Sequence, residues 1–396
     1  MKYYISELNS AGNIAVDDTI LVKGTPATAG SHLLDGFVPL FSAEAVERLE
    51  NAGYIVSGKT NVGEFGLDLL GEGSYYEPVV EDGHLVGAAA ALVAQGKVKA
   101  ALNVDLNGAP RRAAAVSGID FIKPTYGTVS RYGVIPCACS GEQIGVSAAN
   151  AADVKELLSI IAGHDAKDGT SLPARSYNYA LDVPVSELRV CVVRELLERA
   201  SVDSAKKVAE YADKLCELGA KVESISFEPV FAAQTAWQIL MAAETCNNLS
   251  RYDGVKFGYR TPNYKNIDDL YVNTRTEGTN FLTKATIVYG SDVLSKGRYE
   301  QCYDKALRIR RVVYEQMQEL LSCYDVVLMP ACSTLSYQPY DLLNAFETVF
   351  DESVYTAIPN ITGVPAMVTK GVQLISGAYK ESILLSVAAS VESMEA

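Results

Sequence analysis

The chain has 396 residues, 48% hydrophobic and 21% charged, a balance that fits an ordinary globular protein and excludes a disordered one. Its 34 basic and 48 acidic residues give a formal net charge of −14, which argues against direct nucleic-acid binding because phosphate contacts need clustered Lys and Arg. There is no run of about 18 uncharged apolar residues, and Glu7 stands where a signal peptide would be apolar, so neither membrane spanning nor secretion is expected.

Eight Cys are too dilute for a disulfide scaffold, and with three His there is no zinc-ligand spacing. The pair Cys137 and Cys139 lacks a second pair at any useful distance. The cysteines read as small buried hydrophobes of a protein in a reducing cytoplasm, with no metal and no cofactor implied.

In chain order, TILVKGTPATAG predicts a short strand over 19–23 running into a Gly/Pro turn. SAEAVERLENAG predicts a helix capped by Ser42, with Val46 and Leu49 inward and Gly53 as its stop. YIVSGKTN, residues 54–61, follows as strand and turn. GAAAALVAQG, residues 87–96, is so uniformly small and apolar that a helix there must be buried on every side. VKAALNVDL then reads as a buried strand.

Past a turn-rich stretch, NAADVKELLSIIAG predicts a helix with Asn150 as cap and an apolar stripe of Val154, Leu157, Leu158 and Ile161. A Ser/Pro/Asn-containing link near 171–184 leads to the strand LRVCVV, a helix over 201–218 stopped by Gly219, and the strand KVESISF. Residues from about 229 to 290 read as helices and loops and are the place for a smaller helical lobe. A long amphipathic helix over 299–324 feeds the strand DVVLMP, and ESILLSVAASVESM closes the chain as a helix. The alternation describes an α/β fold with a mixed sheet, one domain over 1–396.

The segment NVDLNGAPRR, residues 103–112, raises the functional question. It places Asp105, Gly108 and Arg111 as an active-site loop would, yet holds no Ser, Thr or Cys. FIKPTYGTVSRYGVIPCACSGEQIG, followed by IAGHDAKDGTS, closely resembles the amidase signature family. Within that family the match is to the branch of the A subunit of glutamyl-tRNA(Gln)/aspartyl-tRNA(Asn) amidotransferase. FVPLFSAEAVERLENAGYIVSGKTNVGEFG, NLSRYDGVKFGYR, YDVVLMPACST and IPNITGVPA…VQLISG resemble it too, in the family's order.

The resemblance implies a central mixed β-sheet surrounded by helices. It also implies a chemistry of Lys, bridging Ser and nucleophilic Ser, in which a neutral Lys takes a proton through one hydroxyl so that the other attacks an amide carbonyl. Carried over residue by residue, that chemistry is mostly missing. The family's Lys lies at the end of a strand written IAIKDN, and ILVKG puts Lys23 there. The bridging Ser of GGSSGGS falls on Leu85 in GHLVGAA. The nucleophile of GTDTGGSIR falls on Ala109, while Asp105, Gly108 and Arg111 are retained. Pro110 removes a backbone donor from the same loop. A carboxylate that contacts substrate in the family is replaced by Ser353, and the family's helical N-terminal region has no counterpart.

Cys139, Ser140, Cys137 and Ser130 are the fallback nucleophiles, each needing Lys23 beside it and an oxyanion hole. Lys23 alone reads as structural or vestigial, and Asp105 with Arg111 as a buried pair holding the loop. His84 and His164 show no partner pattern. The leading expectation is a catalytically degenerate amidase-fold protein with a binding, scaffolding or regulatory role, meeting protein partners or its own copies. The alternatives are an active amidase or glutamine-dependent amidotransferase subunit using displaced residues, and a decayed paralogue without independent role.

Overall fold

Among the described residues, thirteen strands form in chain order: β1 (Tyr4–Glu7), β2 (Ile14–Asp17), β3 (Val56–Thr60), β4 (Val80–Glu81), β5 (His84–Leu85), β6 (Ala100–Asp105), β7 (Asp120–Lys123), β8 (Gln143–Ala148), β9 (Arg189–Val193), β10 (Lys221–Ile225), β11 (Val326–Pro330), β12 (Ala366–Thr369) and β13 (Val372–Ile375). Eleven of them make one sheet in the order β1-β3-β2-β6-β8-β7-β12-β13-β11-β9-β10, and β4 pairs with β5 alone. The large sheet is mixed. β2 runs parallel to β3 and β6, and β9 runs parallel to β10 and β11. The strands between β6 and β11 are antiparallel. In this computed structural model, residues 2–173, 177, 179–256 and 258–395 are described. Part of the link at 171–184, and Phe257, lie outside the described residues.

Both faces of the sheet are covered, which is why its central strands read as unbroken apolar runs. Along β11, Val326 and Leu328 belong to the core on one face, and Val327 and Met329 to the core on the other. The helix Ala88–Ala94 is buried from Ala88 to Val93, as its composition requires. Asn150 caps Ala151–Ile161 by accepting from the Asp153 N–H at 2.9 Å, and Ser201 caps Val202–Glu217 in the same way. The last helix is Glu381–Glu395. No helix among the described residues is long and apolar enough to cross a membrane.

Two local expectations are corrected. The strand expected over 19–23 is absent: the pairing strand is β2, ending at Asp17, and only Ile20 bridges, to Val134. Parallel pairing with β3 and β6 draws β2 inward, whereas TILVKG lies beyond it as turn and loop. Ser42 is not the cap of the following helix, which is Glu44–Asn51 with Ala43 at the cap position; the Ser42 hydroxyl accepts the Lys23 N–H at 3.0 Å instead.

Candidate functional site

The loop 103–112 begins where β6 stops at Asp105 and the chain turns into the helix Ala109–Ser117. Gly108 makes that turn at φ 84°, in the left-handed region. A Cβ there would lie 2.3 Å from Thr356 Cγ2. Position 108 therefore requires glycine for its backbone and for its packing. Pro110 occupies the first turn of the helix, where its missing N–H costs no helical bond.

Arg111 holds the loop from behind. Its Nε donates to Asp105 Oδ2 at 2.7 Å and its Nη2 to Asp105 Oδ1 at 3.0 Å, with both side chains fully buried. The same guanidinium donates to Thr356 O and Gln373 Oε1 at 3.0 and 2.7 Å, and to Asn360 Oδ1 at 2.5 Å. Burial pushes the Asp105 carboxyl upward, but Arg111 and Asn360 outweigh it and hold the group below the usual carboxylate range. Arg112 continues the clamp, donating to Asn107 O and to Thr356 Oγ1.

In front of the loop lies a cavity of about 60 Å³ lined by Ala88–Ala90, Leu106, Ala109 and Asp17. Asp17 is the last residue of β2. Its Oδ1 accepts from Thr60 Oγ1 at 3.0 Å and Asn103 Nδ2 at 2.9 Å, and its Oδ2 from the Val104 N–H at 3.1 Å. Burial pushes its carboxyl up to about 6, against the pull of these three donors and of Lys59. Lys59 itself is fully buried and ion-paired to Asp18 at 3.2 Å, and burial pushes its ammonium group down.

The three residues expected at the triad positions part company here. Ala109 lines the cavity. Leu85 is buried, its N–H donating to Tyr337 O at 2.8 Å, and does not line it. Lys23 is exposed and stands outside the cavity altogether. The strand IAVD brings its last side chain, the Asp17 carboxylate, to the cavity.

Residues 13–385 match the family model described as Amidase. The chain belongs to the amidase family. Among amidase relatives, it is 37% identical over 364 residues to the A subunit of the glutamyl-tRNA(Gln) amidotransferase of Lachnoclostridium phytofermentans, covering 89% of this chain and 74% of that protein. It is 32% identical over 400 residues to the protein of the same name from Sulfolobus acidocaldarius, covering 96% and 84%. The crystal structure of the Thermotoga maritima counterpart superposes with a TM-score of 0.82 at 26% identity, over 98% of this chain and 87% of the other. The mixed sheet wrapped by helices is thus the amidase fold.

Of the fallback nucleophiles, only Cys137 lines this amidase cavity. Its Sγ lies 3.3 Å from Thr245 Oγ1, and complete burial pushes its thiol far up. Cys139 is half-buried, its thiol raised by burial, with Asn248 Nδ2 3.7 Å from Sγ. The Ser140 N–H donates to Glu244 at 3.0 Å, and Ser130 donates its hydroxyl to Asp165 at 2.6 Å. Cys139, Ser140 and Ser130 do not line the cavity, and neither does Lys23. The ring nitrogens of His84 and His164 face the carbonyls of Asp82 and Leu172. Among the described residues no group of three or more His, Cys, Asp or Glu could hold a metal.

Asp17 and Lys59 were missed by sequence reasoning. The signal was present: the family string IAIKDN fits IAVDDT, residues 14–19, letter for letter better than ILVKG.

Proposed function

We propose that this amidase-fold chain lacks Lys–Ser–Ser amide hydrolysis and acts by binding, in a scaffolding or regulatory role. One observation carries the reading. The cavity in front of the retained loop holds Asp17 and Ala109 where this chemistry needs a Lys base and a Ser nucleophile. On this reading Asp17, not Lys23, occupies the family's Lys position. A carboxylate already accepting three hydrogen bonds cannot replace a neutral amine that relays through a hydroxyl, and Leu85 offers no hydroxyl to relay through.

Partners are proposed to be protein, including further copies of the chain, with no direct nucleic-acid contact. A cytoplasmic setting suits the eight free cysteines. The second reading, a working component of an amidotransferase, is favoured by the names of the relatives alone. The test is ammonia release from glutamine, asparagine and simple primary amides by the purified chain. No release is expected. Turnover that disappears on changing Lys23, Cys137 or Cys139 would reinstate the enzyme reading. Affinity capture from native extract then asks which protein partners co-purify.

A further inference from the structure

The cavity in front of Ala109 is charged in one sense only. Among the described residues, the ionisable carboxyl side chains lining it are Asp17, Asp68 and Glu142, and no Lys, Arg or His lines it. The neighbouring cations are engaged elsewhere: Lys59 pairs with Asp18 at 3.2 Å, Arg131 with Glu142 at 2.7 Å, and Arg112 donates to Asn107 O and Thr356. Asp68 accepts the Gly71 N–H on Oδ1 at 3.2 Å and the Gly73 N–H on Oδ2 at 2.7 Å. Asp17 differs. Its Oδ2 accepts one bond, from Val104, which leaves a lone pair for another donor.

A second observation is independent of the carboxylates. Thr19, also lining the cavity, is 5% exposed, and its hydroxyl has no hydrogen-bond partner among the described residues. Buried hydroxyls are normally satisfied, so an orphan one at a cavity wall marks a place for a guest. The remaining wall is small and apolar: Ala88–Ala90, Leu106 and Ala109. The space, about 60 Å³, is a few water volumes.

We propose that this cavity binds a small protonated primary amine, its ammonium group donating to Asp17 Oδ2 and Thr19 Oγ1 and its short alkyl body lying against Ala88–Ala90 and Ala109. The proposal rests on the binding reading above in one respect: the site exists because a carboxylate and an alanine stand where base and nucleophile would. A carboxylate acceptor favours a charged donor over a neutral one, and the apolar wall favours a methyl or ethyl group over bare ammonium. The narrow space favours an unbranched primary amine over a branched or quaternary one.

The test is isothermal titration and thermal unfolding of the full chain with ethylammonium chloride. Ammonium, tetramethylammonium and sodium chlorides at equal ionic strength serve as comparisons. Expected is saturable heat and a saturable rise in Tm with ethylammonium, weaker with ammonium, and none with tetramethylammonium or sodium. Asp17→Asn should weaken ethylammonium binding by at least about tenfold. Ala109→Val fills the space without touching the charge and should weaken it as well, which keeps the test decisive if Asp17→Asn folds poorly. No saturable response in the unaltered chain, or equal responses from sodium and ethylammonium, overturns the proposal. So does unchanged binding in a folded Ala109→Val variant. Amide hydrolysis with ethylammonium binding intact would sink the non-catalytic reading alone.

Discussion

Arg111 grips Asp105 through two parallel hydrogen bonds of 2.7 and 3.0 Å, and neither side chain reaches solvent. The pair does not stand alone, because the guanidinium also anchors Thr356, Asn360 and Gln373 around the same loop. Removing one partner of such a pair leaves a buried charge uncompensated, which costs about 3–5 kcal/mol. Arg111→Leu is therefore expected to lower the free energy of unfolding by an amount in that range at neutral pH. The sign with pH follows from the lowered Asp105 pKa. Its contribution is present above the unfolded value of about 4 and is lost as pH falls through the folded one. The Arg111→Leu deficit, measured by urea unfolding, should accordingly shrink in acid. A deficit below about 1 kcal/mol at pH 7 would show that the clamp is dispensable.

Gly108 gives a purely steric prediction. Its φ of 84° strains any L side chain, and a Cβ would sit 2.3 Å from Thr356 Cγ2. Left-handed strain costs about 1–3 kcal/mol and the overpacking a similar amount. Gly108→Ala should therefore drop Tm by several degrees, the more so because alanine is a poorer N-cap than glycine. An unchanged Tm would mean that the loop relaxes away from Thr356.

Asp17 should make stability depend on pH in the direction opposite to Asp105. Its folded pKa of about 6 lies above its ordinary value, so the folded chain holds this proton where the unfolded chain has lost it. The extra stability is full below about 4, falls as pH rises through 6, and is gone above. The groups facing the carboxyl are Thr60, Asn103, the Val104 N–H and Lys59. Asp17→Asn removes the titration while altering one hydrogen bond by a constant amount. Relative to the unaltered chain, the variant should gain about 2–3 kcal/mol between pH 4 and pH 7.5. Parallel stability curves across that interval would count against a raised Asp17 pKa.

Much of the fold was legible because local and global signals agree there. Ser201 and Gly219 bracket their helix, Asn150 caps another, and the alanine-rich run 88–94 can only be interior. The errors sit where local letters are ambiguous. TILV carries as much strand preference as IAVD, and only pairing with β3 and β6 decides between them. Ser42 looks like a cap, yet its hydroxyl is taken by the Lys23 N–H. The candidate site was half legible. Ala109 and the Asp105–Arg111 pair stand within one short segment. Asp17 comes from a strand about ninety residues earlier, and Thr356, Asn360 and Gln373 from the other end of the chain, a proximity that parallel crossovers create and no local pattern announces.

Ala109→Ser returns a hydroxyl to the cavity wall, and the side chain is small enough to fit the existing helix start. A serine alone is a weak nucleophile and needs a base within hydrogen-bond reach, about 2.6–3.2 Å, or one bridging group away. The carboxyls lining the cavity are Asp17, Asp68 and Glu142, each already accepting hydrogen bonds, and Leu85 is apolar and outside the cavity. Lys59 is held by Asp18 and does not line the cavity. Pro110 also withholds the backbone N–H that would follow the serine, so an oxyanion loses a donor typically worth about 10²–10³ in rate. The Ala109→Ser variant is therefore expected to release no ammonia from glutamine and to resist labelling by a fluorophosphonate. Labelling of the introduced serine in that variant would mean that a base reaches the cavity after all, and the search for it would begin at Asp17.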